Sequence, residues 1–221
     1  MVILRCRADQ VGTGALSTVY YKSHGTRVVA LFRRYHGNGG RWDGLLQLGP
    51  GGIARNGETP RATLCREFPE ELPQLTRFME TGKVKIYGFD NDGVLGIPAF
   101  VTANPRRPPF NVHMFLVEIS PEAAAVLSSG IPSDLAVLAN RMVSSLSNYR
   151  AMETEWTLSV INSIKLLFEI IPPASEELSF PLFVPTDLVS LMIKYSPGSF
   201  MPHYSASCQH ETNYDLLMKT K

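Results

Sequence analysis

The chain has 221 residues, 44% of them hydrophobic, and a formal net charge of +1. That apolar share supports a sizeable core and excludes a chain disordered throughout, while the length suits one large domain or a domain with an extension. A near-neutral chain has no global field to hold a polyanion, so any phosphate or nucleic-acid site must be local.

Val2, Ile3 and Leu4 precede Arg5, which is far short of the apolar core of a secretory signal. No apolar run approaches the roughly 18 residues of a membrane span, so no membrane association is expected. Cys6, Cys65 and Cys208 are an odd set without paired spacing, which argues against a disulfide framework and for a reducing, intracellular compartment. A secreted product already freed of its signal would read the same way.

Residues 15–21 and 27–33 run apolar with β-branched and aromatic side chains, and Ser23, His24, Gly25 and Thr26 between them carry turn signals. The two runs read as a hairpin. Residues 42–48 read as a short strand that enters a sharp turn at Gly49, Pro50, Gly51 and Gly52. Thr59 is placed to cap a helix with Pro60 at its first position, and that helix runs to about Leu72. Residues 83–89 and 94–101 read as strands around a turn at 90–93. A further strand at 112–119 follows the proline-rich loop 104–109, and Ser120 with Pro121 starts another helix. Residues 135–146 and 154–171 are helical by periodicity, the latter with Trp156, Val160, Ile161, Ile164, Leu167 and Ile171 on one stripe. These elements make one domain over residues 1–171. Residues 172–221, with Pro181, Pro185, Pro197 and Pro202 and a short helical candidate at 187–195, read as an extension packed on it, with no role assigned by the sequence.

The chemistry concentrates in residues 52–74. Glu67, Glu70 and Glu71 stand at i, i+3 and i+4 and so share one face of the expected helix. Carboxylates that close repel one another unless a divalent cation sits among them. A helix so built, beside a glycine turn, is a candidate metal site for phosphate chemistry.

The spacing itself is specific. Gly52, five residues, Glu58, seven residues, and then Arg66, Glu67, Phe68, any residue, Glu70 and Glu71 resembles the Nudix box, G-x5-E-x7-R-E-U-x-E-E-x-G-U with U bulky and aliphatic. The run Gly57, Glu58, Thr59, Pro60 is also common in that family. The resemblance covers 23 residues, about a tenth of the chain. It departs from the pattern where Pro73 replaces a glycine and Gln74 an aliphatic residue. Pro69 falls at a free position, yet deep in a helix it removes a hydrogen bond and predicts a kink between Cys65 and Glu70.

The resemblance implies an α/β fold, the Nudix-like α/β/α sandwich with a mixed sheet. It implies a hydrolase that splits a diphosphate linkage in a nucleoside diphosphate derivative, using Mg2+ or Mn2+ and a carboxylate-activated water. Glu70 and Glu71 are then the metal ligands, Glu67 a ligand or the base, and the Gly51 carbonyl another ligand. Arg66 orients the carboxylates and pairs with Glu58. The expected partner is a small phosphoanhydride substrate such as a nucleotide sugar or dinucleoside polyphosphate. An RNA cap is the first alternative and a diphosphoinositol polyphosphate the second. A non-catalytic binding module on the same scaffold is the alternative of another class, motivated by Pro69, Pro73 and Gln74. Oligomeric state is not legible.

Arginines suited to substrate phosphates are Arg33, Arg34 and Arg41 before the box and Arg106 and Arg107 in the proline-rich loop. Tyr35, Trp42 and Phe110 are candidates to stack a base, with a core role the commoner fate of such side chains. Glu153 and Glu155 suit a distant extra carboxylate, although acidic residues also favour a helix start. His203, Cys208 and His210 lack a fourth ligand for a closed zinc site. Cys65 has no partner histidine that would make it a nucleophile.

Overall fold

The computed structural model describes residues 12–35, 42–87, 96–97, 110–147 and 154–201. Strands β1 (Gly12–Ser23) and β2 (Thr26–Arg33) form the expected hairpin. Its two-residue turn places His24 and Gly25 at φ 48° and 77°, the left-handed geometry that matches the twist of the strands it joins. Short strands β3 (Leu46–Gln47) and β4 (Gly51–Ile53) follow, and then helix α1 (Pro60–Glu71). A 3-10 turn at Pro73–Leu75 leads into α2 (Thr76–Glu80). The rest comprises β5 (Val84–Tyr87), β6 (Gly96–Ile97), β7 (Phe110–Ile119), α3 (Pro121–Ser128), α4 (Ser133–Ser147), α5 (Thr154–Phe168), β8 (Leu182–Pro185) and α6 (Thr186–Tyr195).

The strands join one mixed sheet in the order β3-β2-β1-β7-β5, with β4 on β1, β6 on β7 and β8 on β2. β1 and β7 run parallel from Gly12↔Phe110 to Tyr20↔Glu118, and the pairings of the other named strands are antiparallel. Strands covered on both faces read as unbroken apolar runs, because successive side chains enter different cores. Leu16, Tyr20, Val29, Leu31, Met114 and Leu116 enter the core shared with α4, α5 and α6. Ala15, Val19, Ala30, Phe32, Phe115 and Val117 enter the other, against α1, α2 and α3. The fold is therefore an α/β sandwich with helices on both faces of a mixed sheet. Among the described residues no single helix is long and apolar enough to cross a membrane.

The segment after residue 172 is more than a packed extension. β8 hydrogen-bonds along β2, with Leu31↔Leu182 and Val28↔Pro185 in register, and Val184, Val189, Met192 and Phe200 are fully or almost fully buried in the α5–α6 core. Pro181 and Pro185 flank and end β8, and proline is tolerated at the ends of a strand, above all on a sheet edge. α5 stops at Phe168, short of the expected 171, because the prolines at 172 and 173 disfavour helical geometry just before them. The strand expected over 42–48 shrinks to β3, since residues 42–44 turn through Gly44 at φ 80°. The turn expected at 90–93 lies outside the described residues.

Helix α1 begins as expected. Thr59 accepts from the Ala62 N–H at 3.1 Å, and Pro60 fills the first position. Leu64, Phe68 and Leu72 stand four apart and are fully buried against the sheet, so burial of one stripe holds the helix down. The helix continues through Pro69 to Glu71, and the Leu72 N–H closes it on the Phe68 carbonyl at 2.8 Å. At Pro69 the Cys65 carbonyl lacks the donor an ordinary residue would supply. Pro69→Ala is therefore expected to stabilise the protein by about 1–2 kcal/mol, read as a rise in melting temperature. A fall would show that Pro69 fits its place better than a regular helix does.

Candidate functional site

β4 lies antiparallel to β1, with Leu16↔Gly51 and Ala15↔Gly52 in register, and passes beneath the C-terminal half of α1. The two glycines are crowded from different sides, Gly52 by the Glu67 side chain of α1 and Gly51 by the backbone of β1. A Cβ at Gly52 would fall 2.0 Å from Glu67 Oε1, and one at Gly51 would fall 2.5 Å from the Ala15 carbonyl oxygen. The missing side chain of Gly52 is the space that the Glu67 carboxylate occupies.

Arg66 organises the outer part of this region. Its Nε and Nη2 donate to the two oxygens of Glu58 at 2.9 and 3.2 Å, a bidentate pair. Nη1 donates to Glu67 Oε1 at 2.6 Å and to Glu70 Oε2 at 3.4 Å, and Nη2 also reaches the Ile53 carbonyl at 3.1 Å. Glu58 further accepts from the Arg55 N–H and the Thr63 hydroxyl. These bonds, the one from Arg66 foremost, push the Glu58 carboxyl down to about 2. The same partner raises Arg66 above its ordinary value.

Glu71 turns inward. It is 2% exposed, Oε2 accepts from the Gly51 N–H at 3.1 Å, and Oε1 accepts from Arg34 Nη1 at 3.3 Å. Burial pushes its carboxyl up to about 8, with Arg34 and the Gly51 amide pulling the other way. Glu70, by contrast, is half exposed and also faces Arg55 at 3.9 Å. One helical stripe thus carries three carboxylates in three environments.

The donor chemistry fits Mg2+ or Mn2+, since carboxylate oxygens from Glu67, Glu70 and Glu71 and a backbone carbonyl are hard ligands. Glu71 in particular is a desolvated carboxylate without a full complement of donors. Among the described residues, however, no three acidic, histidine or cysteine side chains converge on one point. Glu67 and Glu70 lean on Arg66, and Glu71 leans on Arg34.

Of the three arginines expected to meet phosphate before the box, Arg33 and Arg34 are engaged within the protein. Arg33 Nη1 pairs with Glu169 at 2.7 Å and donates to the Phe168 carbonyl at 3.3 Å, while its guanidinium lies over the Tyr35 ring. Arg34 bridges Glu71, Gln47 and Glu177. Tyr35 donates its hydroxyl to the Ile171 carbonyl, and Trp42 packs against the α5–α6 core. Arg41, Arg106, Arg107, Glu153, His203, Cys208 and His210 and the side chains of Phe110 and Glu155 lie outside what the structure describes. Glu177 and Gln47 were not legible as members of this region, because Glu177 meets Arg34 across 143 residues of chain.

No protein-family model matches the sequence, and no curated protein does. Among solved structures the chain is similar to an Ap4A hydrolase from C. elegans, at 19% identity and a TM-score of 0.34 over 51% of this chain and 71% of that one. A binary complex of a C. elegans Ap4A hydrolase is similar at 17% identity and a TM-score of 0.30, over 50% and 67% of the two chains.

Glu71 makes stability depend on pH in a direction opposite to an ordinary surface carboxylate. Its folded pKa of about 8 lies above the ordinary 4.5, so the fold binds this proton more tightly than the unfolded chain does. The resulting stabilisation is complete below the ordinary value and is lost as pH rises through about 8. The metal-free protein should therefore melt lower at about pH 9 than at about pH 6, and Glu71→Gln should remove most of that difference. An unchanged difference in the variant would assign the effect to other groups.

Proposed function

We propose that the chain is a divalent-cation-dependent hydrolase of the Nudix type, which cleaves a diphosphate linkage in a nucleoside diphosphate derivative. One observation carries this reading. The six positions of the sequence pattern meet in space as one interlocked unit, with Arg66 on Glu58, Glu67 and Glu70, Glu67 in the space of Gly52, and Glu71 on the neighbouring Gly51 amide. Residues kept only for helix solubility would have no reason to close on a glycine strand.

Hydrolysis of a diphosphate requires water to bond to one phosphorus as the bridging P–O bond breaks, with the proton of that water passing to a base. Glu67 suits the base, because Arg66 grips it through Oε1 and fixes the plane of the carboxylate. Glu70, Glu71 and the Gly51 carbonyl would hold Mg2+ or Mn2+, which when bound neutralises phosphate charge and polarises the P–O bonds. Arg66 Nη1 bridges Glu67 and Glu70 and offsets their repulsion, so that the orienting work is done before substrate arrives. Arg55, largely exposed and next to Glu70, adds a cation at the open side of the face. A small phosphoanhydride is the substrate class a chain of net charge +1 favours, ahead of an RNA cap or a diphosphoinositol polyphosphate.

The competing reading is a binding module, favoured by carboxylates that are already satisfied by Arg66 and Arg34. Turnover separates the two. ADP-ribose, a dinucleoside polyphosphate, capped RNA and a diphosphoinositol phosphate are to be assayed with Mg2+ or Mn2+. Hydrolysis of at least one, abolished by EDTA and restored by the metal, is expected. Glu67→Gln, Glu70→Gln and Glu71→Gln should each lower kcat roughly 100-fold or more, and exposed Glu70→Gln should leave the melting temperature nearly unchanged. Binding without turnover across the panel would establish the module instead.

A further inference from the structure

We infer that Arg34 is a positioning residue for Glu71, and that the segment 173–179 is a strap of the site that fixes the Arg34 guanidinium through Glu177. The inference rests on the reading of Glu71 as a working carboxylate.

Arg34 follows the last residue of β2 and divides its donors. Nη1 meets Glu71 Oε1 and Gln47 Oε1, each at 3.3 Å, and Nη2 meets Glu177 Oε2. Its Nε is buried without an acceptor among the described residues, so the guanidinium has left water behind and depends on these contacts. With the Gly51 amide on Oε2, the Glu71 carboxylate is held from two strands at once, β4 on one oxygen and the end of β2 on the other. Neither grip comes from the helix that carries Glu71.

The strap is fastened to the same places. The Tyr35 N–H donates to the Glu177 carbonyl at 2.7 Å, the Ser179 N–H to the Arg33 carbonyl at 2.9 Å, and the Arg33 N–H to Ser179 Oγ at 2.9 Å. Arg34 and Leu178 form an antiparallel bridge. Gln74, in the 3-10 turn directly after α1, donates to the Ala174 carbonyl at 2.8 Å. Ser175 Oγ accepts from the amides of Glu177 and Leu178, which shapes the loop so that Glu177 faces Arg34. The strap thus grips the box helix at its end and, through Arg34, at Glu71. Outer contacts of this kind set the orientation of a metal-binding or reacting group without touching substrate.

A double-mutant cycle tests this on the full chain, with a hydrolysed member of the panel as substrate. Arg34→Gln should lower kcat roughly 10–100-fold with KM within about twofold, and should do nothing further in the Glu71→Gln background. Arg34→Lys, which keeps the charge, should recover part of the loss. Glu177→Gln should show a smaller loss with the same dependence on Glu71. In the metal-free protein, Arg34→Gln should speed amide exchange at Leu178 and Ser179 by about tenfold or more, because the strap loses its charged anchor. Equal losses with and without Glu71, or full activity of Arg34→Gln beside an inactive Glu71→Gln, would overturn the inference and leave the hydrolase reading standing. Full activity of Glu71→Gln would overturn both. If Arg34→Gln fails to fold, Arg34→Lys and Glu177→Gln complete the cycle. Unchanged exchange at the strap in Arg34→Lys and Glu177→Gln alike would remove the strap from the account.

Discussion

Arg66 has five N–H groups in one rigid plane, and in this protein they reach the carboxylates of Glu58, Glu67 and Glu70 and the carbonyl of Ile53. Without a cation at that point, the acidic second half of α1 would repel Glu58 in the loop before it and loosen its hold on β4. Lysine would not substitute, because a point charge on a flexible stem cannot address three acceptors in fixed directions. Arg66 holds the Glu67 carboxylate in the space that a side chain at Gly52 would fill.

The sheet supplies the rigidity behind the clamp. β1 lies at its centre, hydrogen-bonded to β2, β4 and β7, and every piece of the site hangs from it or from its neighbours. Leu64, Phe68 and Leu72 press α1 onto Ala15, Val19 and Phe32. That packing decides which side of the helix faces inward, and so why Glu71 is buried while Glu70, one residue earlier, meets solvent. Three carboxylates adjacent in sequence are thereby given separate physical characters: one clamped, one exposed, one desolvated. Separation of that kind is how a fold prepares chemically identical groups for different tasks.

Much of this was written in the sequence wherever the cause is local. Thr59 and Pro60 announce the start of α1 and Gly25 the hairpin turn, while the Arg66–Glu58 pair is what the resemblance implies. What the sequence does not show lies in tertiary contacts. Pro69 marks one lost hydrogen bond, and the burial of Leu64, Phe68 and Leu72 that carries the helix through it depends on the sheet. Pro181 and Pro185 hide β8, because a sheet edge offered by β2 is invisible until the chain returns to it. Arg33 and Arg34 stand in the sequence as candidates for a ligand, and Glu169 and Glu177, which pair with them, approach only through the tertiary fold. Nothing near Arg34 in sequence marks its partner.

The central claim is that Glu70 and Glu71 hold a divalent metal beside the base Glu67, prepared by Arg66 on one side and Arg34 on the other. A crystal structure grown with Mn2+ and examined by anomalous scattering addresses it directly. The account predicts Mn2+ in contact with oxygens of Glu70 and Glu71 and the Gly51 carbonyl, with Glu67 beside it and Glu58 still paired to Arg66. Carboxylates unmoved on Arg66 and Arg34, with no anomalous peak beside them at saturating metal, would contradict it.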